Sequence, residues 1–188
     1  MTQIACPARG FAPERKRLPF AAAVAEDGRV SGYASLFGVV DLGRDVVAPG
    51  AFSSSLERRG ANGVRFLFQH DPAEPIGAWE RIDEDARGLR VEGRLNLAVA
   101  RARELRALLL QGALDGLSIG FRPVRAARMV GGVRRLVEID LWEISIVTFP
   151  MLPGARVGAA KAGRVSAAAD RLRPAGRFVL PKTRGLTR

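Results

Sequence analysis

The sequence predicts a mainly β domain with flanking helices, an α+β fold built on an antiparallel sheet or barrel. Three observations predict it. Segments that alternate apolar and polar residues outnumber helical ones, they follow each other in hairpin-like succession rather than alternating with helices, and only one long segment has a clear helical period.

Each element follows from its residues. The Ala-rich stretch 18–25, after Arg15, Lys16 and Arg17, reads as a first strand; it is short and broken by Pro19, which argues against a secretory signal. Residues 32–40 form a strand and 41–45 the turn that ends it. Ser53, Ser54 and Ser55, whose hydroxyls can cap orphan amides, lead into a short helix stopped near Gly60. Residues 64–68 make a short apolar strand that ends at Gln69-His70-Asp71-Pro72, where the proline should break any continuation.

Residues 76–79 and 88–95 are the next strand segments, the second with clean alternation. Over 97–111 the period becomes helical, with Leu105, Leu108 and Leu109 on one face and Gly112 as the C-terminal stop. Beyond it Leu117, Ile119 and Phe121 face one way and Ser118, Gly120 and Arg122 the other. Gly131-Gly132 signals a two-residue hairpin. The last strand, 138–149, changes phase near Leu141-Trp142 as a bulge would make it do, and Pro150 and Pro153 close the domain.

Composition narrows the function. At 188 residues, with 47% apolar and 26% charged side chains, the chain supports one domain plus tails. No run approaches the ~20 apolar residues a membrane span needs, so no membrane contact is expected. One cysteine, Cys6, precludes an internal disulfide, and with a single histidine no Cys/His metal site and no cofactor is expected. Cys6 reads as a free thiol in a loose terminus. The net charge of +11 lies in the ends: 17 Arg balance 17 Asp and Glu over 18–150, while residues 1–17 carry +3 and residues 151–188 carry +8. The expected organisation is a basic flank at 1–17, a domain at 18–157 and a basic tail at 158–188. Any nucleic-acid contact belongs to these tails, and the neutral domain carries no nucleic-acid motif.

Residues 116–120 read G-x-S-x-G, the pattern of the α/β-hydrolase nucleophile elbow. That elbow joins a strand to the helix after it; here the serine follows a helix and lies in a strand, so the hydrolase reading fails. Ser118 is then either a nucleophile or a small residue in a crowded strand. As nucleophile it needs a base, and His70, at the end of a short strand, is the one histidine available. Gly116 and Gly120 would leave open space beside the hydroxyl for a substrate backbone, and amides of this stretch could bind an oxyanion. A third group would orient the imidazole. Glu143, a carboxylate in an apolar strand, is a candidate, with Asp45 and Asp71 as rivals and a structural ion pair as the alternative role.

The blocks "GYASLFGVVDLGRDVVAPGAF", "FLFQHDPAEPIGAWE", "GLRVEGRLNL", "GALDGLSIGFRPV" and "LVEIDLWEISIVTFPMLPGARV", in this order, closely resemble the tailed-phage prohead proteases, the serine peptidases that mature capsids. The resemblance covers about residues 32–157. It implies a barrel of the herpesvirus-protease (assemblin) type with surrounding helices. It also implies that His70 of "QHD" and Ser118 of "GLSIG" are the catalytic pair. Assemblins use a second histidine, which this chain lacks; resemblance to the prohead branch points to Glu143 of "WEIS" instead.

The resemblance further implies a substrate, the major capsid protein with its scaffolding segment, and a place, the inside of the immature capsid in the host bacterial cytoplasm. Self-cleavage is common in the family, and a phage-derived particle such as a gene transfer agent would use the same enzyme. Concentration inside a shell favours a homodimer, as in assemblins. The basic tail would serve packaging or be cut away. The alternatives are a catalytically silent, protease-like scaffold for assembly and, last, a nucleic-acid-binding module acting through the tails.

Overall fold

The computed structural model describes residues 24–158. The basic flank 1–17, Cys6, most of the first expected strand and the tail from 159 lie outside the described residues. Eight strands are present among them: β1 (Arg29–Leu36), β2 (Asp45–Val47), β3 (Arg65–Phe68), β4 (Asp71–Glu84), β5 (Gly88–Leu95), β6 (Gly116–Arg128), β7 (Arg134–Val147) and β8 (Arg156–Val157). Two α-helices, α1 (Ser53–Arg59) and α2 (Ala100–Leu110), accompany them.

Seven strands close into a barrel in the order β7-β3-β4-β5-β1-β8-β6, with β6 returning to β7. The expected barrel with flanking helices is therefore present, and it is mixed: β3 and β2 run parallel to β7, while the other seams are antiparallel. The long β7 is the spine. Its first residues pair with β2, its last with β3, and its other edge with β6 throughout.

Inward-facing side chains fill the barrel, with Phe66, Ile76, Trp79, Leu89, Val91, Leu117, Leu136, Ile139, Leu141, Ile144 and Ile146 all buried. Phe66 and Trp79 stack with ring centroids 3.9 Å apart. A fully buried aromatic of this size contributes several kcal/mol, about 3–5 by large-to-small substitution.

Sequence logic accounts for most elements and fails at three. The three serines lie in the first turn of α1 and do not cap it; Glu84 of β4 does, accepting from Phe52 N at 2.8 Å and Ser53 Oγ at 3.1 Å. The short strand ends at Phe68 as expected, but Pro72 leaves no break after it, because β4 starts at Asp71 and runs through both prolines. The register against β3 jumps from Leu67↔Pro75 to Phe68↔Asp71, so Pro72 lies within a bulge where no ladder donor is needed and Pro75 stands at its edge. In α2 the buried face is Ala102, Leu105 and Leu109; Leu108 is 38% exposed. Gly112, at φ 70°, ends that helix as expected.

The phase change expected near residues 141–142 is a bulge. On β6, Gly120 and Phe121 are consecutive, but their β7 partners are Glu143 and Leu141, leaving Trp142 as the extra residue. Before the bulge Ile139 and Leu141 face inward; after it Ile144 and Ile146 do. Glu143 and Ser145 are thereby set on the outer face. Were Trp142 paired in regular register instead, the alternation of Ile139 and Leu141 would carry Glu143 into the core.

Candidate active site

Three strand segments meet where β7 runs between β3 and β6. Register places Ser118 opposite Ser145 and Gly120 opposite Glu143 across β6 and β7, and directly opposed residues share a face. The Cβ atoms of such a pair lie about 4.5–5.5 Å apart. On the other edge, β3 ends at Phe68, level with Ile146, and the chain turns back into β4.

That turn carries His70. Phe68 pairs with Asp71, so Gln69 and His70 form a two-residue hairpin loop, and both have positive φ, 54° and 61°. Such loops prefer Asn-Gly, because left-handed backbone costs a larger side chain of order 1–3 kcal/mol per residue. Three hydrogen bonds from β7 and the segment after it hold the loop: Gln69 N to Ile146 O at 3.0 Å, His70 N to Ser145 Oγ at 3.2 Å, and Gln69 Nε2 to Thr148 Oγ1 at 2.7 Å. At about 0.5–1.5 kcal/mol each, they are of the size needed to offset that strain.

The imidazole meets Glu143. His70 Nδ1 is 2.5 Å from Glu143 Oε1, and the second oxygen, Oε2, accepts from Ser145 Oγ at 2.5 Å. The histidine side chain is 41% exposed and the glutamate 12%. The hydrogen bond to Glu143 raises the His70 pKa above its ordinary value, and burial opposes it more weakly. With Nδ1 directed at a carboxylate, the neutral ring carries its proton there and leaves Nε2 as the free base.

Ser118 is 5% exposed. Among the described residues its Oγ makes no side-chain hydrogen bond, to His70 or otherwise, and the fully enclosed unpaired polar atoms are Trp79 Nε1 and Arg106 Nε. The hydroxyl is thus reached from outside. A cavity of about 130 Å³ also touches Ser118, walled largely by Leu36, Val47, Leu117, Ile119 and Leu136. Such a lining suits an apolar side chain.

The two glycines flanking Ser118 do not leave room for a substrate, contrary to the expectation from sequence. A Cβ at Gly116 would meet Pro150 Cδ at 2.9 Å, and one at Gly120 would overlap Glu143 Oε1. Gly120 therefore makes space for the carboxylate of the site. Among the nearby amides, Leu117 N is already committed to Ala155 O.

The rivals of Glu143 are engaged elsewhere. Asp45 takes Arg134 in a two-point ion pair at 2.8 and 2.6 Å, and Asp71 Oδ1 accepts Ala73 N at 2.8 Å, shaping the turn. Sequence reasoning missed Ser145, Gln69 and Thr148. The available signal was a hydroxyl two residues after Glu143 in an otherwise apolar strand, hence on the same face. No cluster of three or more His, Cys, Asp or Glu able to hold a metal occurs among the described residues.

Residues 17–169 match the sequence family described as Caudovirus prohead serine protease. The chain belongs to that family. It is 33% identical over 139 residues to the prohead protease of Enterobacteria phage HK97, covering 72% of this chain and 61% of that protein. The family barrel also matches solved structures at low identity. The bacteriophage T4 capsid assembly protease superposes with a TM-score of 0.55 at 13% identity, covering 65% of this chain and 82% of that one. The KSHV protease, solved with a hexapeptide phosphonate inhibitor, gives a TM-score of 0.50 at 14% identity, covering 68% and 62%. These two likenesses concern the fold, a barrel shared by prohead and herpesvirus proteases.

Proposed function

We propose that this chain is a serine endopeptidase that processes the major capsid protein or its scaffolding segment, and itself, during procapsid maturation. The setting is the immature capsid of a phage, or of a phage-derived particle such as a gene transfer agent, in the bacterial cytoplasm. The observation that carries the reading is the 2.5 Å contact between His70 Nδ1 and Glu143, two register positions from Ser118 and on the same face. Membership of the prohead protease family supports the substrate class.

The chemistry follows from the groups. His70 Nε2 takes the proton of Ser118 Oγ as the oxygen attacks the peptide carbonyl, Glu143 stabilises the imidazolium, and the same proton passes to the departing amine. Water then attacks the acyl-enzyme by the same relay. The missing Ser118–His70 hydrogen bond is ordinary for an enzyme without substrate, in which such contacts tighten only on binding. The basic tail from residue 158, carrying most of the +8 of residues 151–188, serves packaging or self-cleavage.

The test is coexpression with the cognate capsid protein, comparing wild type with Ser118→Ala by mass spectrometry of the products. Cleaved capsid protein is expected with wild type alone. Uncut capsid protein in both would reject the protease and favour a silent scaffold. In a parallel experiment, truncation after residue 157 is expected to abolish incorporation into shells or self-processing.

A further inference from the structure

We propose that Ser145 is a positioning residue of this site, whose hydroxyl locks the Glu143 carboxylate and the His70 turn to the same strand so that carboxylate and imidazole meet in one geometry. The inference rests on His70 and Glu143 being the base and its orienting partner.

Ser145 is fully buried on a strand whose neighbours Ile144, Ile146 and Val147 are apolar. A hydroxyl in such a place persists only when its hydrogen bonds are made. Both are made to the site. Its proton goes to Glu143 Oε2 at 2.5 Å, and its oxygen accepts His70 N at 3.2 Å. The other oxygen of the same carboxylate holds His70 Nδ1. One hydroxyl, one carboxylate and one hairpin turn thus form a closed circuit.

The circuit removes two freedoms. The terminal torsion of a glutamate is broad, so a single bond to the imidazole would leave the carboxylate free to swing; a bond on each oxygen does not. The turn is the second. Gln69 and His70 both hold positive φ, a conformation that side-chain-bearing residues leave unless it is restrained. The Ser145 oxygen restrains the very amide that precedes the His70 side chain. Glu143 is the charged group acting on the His70 ring, so what fixes its carboxylate also sets the state of the ring.

A single histidine makes the test direct, since full-length protein labelled with ¹⁵N-histidine shows one imidazole. In wild type the His70 titration midpoint is expected above the ordinary value of about 6.5, and in Glu143→Gln at or below it. Ser145→Ala is expected to move the midpoint at least half of that way and to lower kcat for capsid-protein cleavage about tenfold, with KM within about twofold. A wild-type midpoint and kcat in Ser145→Ala would overturn the proposal, as would a lower melting temperature with no movement of the His70 titration. Should alanine leave the buried position unable to fold, Ser145→Cys keeps its volume with only a weak donor, and the same criteria apply. Persistent cleavage by Ser118→Ala would instead overturn Ser118 as the nucleophile of the proposed function, and the titration would still decide the role of Ser145.

Discussion

His70 owes its state mainly to one bond. The Glu143 carboxylate raises the pKa of the ring against the opposing effect of burial. A base must be neutral to take a proton, so the acid limb of kcat/KM is expected above about pH 6.5 in wild type. Glu143→Gln should shift that limb to lower pH and cut kcat by about 10²- to 10⁴-fold, read from pH–rate profiles. Stability carries the same sign. A histidine whose folded pKa is raised stabilises fully below about 6.5 and loses that contribution as pH rises through the folded value. The urea midpoint of wild type should therefore fall across that window, and Glu143→Gln should flatten the slope. Gly120 acts beside the same carboxylate, since a methyl there would occupy the position of Glu143 Oε1. Gly120→Ala is expected to lower kcat by about 10²-fold, with the His70 midpoint falling and circular dichroism unchanged.

The bulge in β7 keeps Glu143 and Ser145 on the outer face of that strand. Trp142 is the extra residue, about half exposed, and its indole donates to Asp140 Oδ2 at 2.7 Å. Deleting it restores plain alternation with Leu141 inward, Glu143 outward and Ile144 inward, so both faces of the strand are kept. Deletion is therefore expected to keep a cooperative urea transition, and both the deletion and Trp142→Ala, which lose the indole hydrogen bond to Asp140, should cost about 1 kcal/mol. A deletion variant without a cooperative transition would show that Trp142 is not the extra residue of the strand. The β3–β4 turn is the complementary device, a strained loop tied down by β7 and its extension at Ile146, Ser145 and Thr148.

The barrel as a whole gives these devices a rigid frame. Trp79 fills its centre against Phe66, and a Cβ on Gly93 would meet the Trp79 ring at 2.6 Å, so β5 approaches closely there. Trp79→Ala should cost about 3–5 kcal/mol by denaturant unfolding. Trp79→Phe should cost clearly less, because the buried Trp79 Nε1 has no partner to lose among the described residues. No helix among these residues is long and apolar enough to cross a membrane.

Local pattern alone determined much of this protein. The helical period of α2, its stop at Gly112, the alternation of β5 and β6, the turn at Gly131-Gly132 and the phase slip near Trp142 were all legible, because each depends on residues a few positions apart. The motifs around His70, Ser118 and Glu143 were legible as well, and they led to the family. Only the tertiary structure decided what those residues touch. The parallel pairing of β3 with β7 joins Arg65 to Glu143, 78 positions away, and no local period encodes it. From that pairing follow the His70–Glu143 contact and the enclosure of Ser145, while the parallel pairing of β2 with β7 commits Asp45 to Arg134. Gly120 reversed its expected role for the same reason: whether the space beside a glycine is open depends on the strand across from it, and that strand holds Glu143.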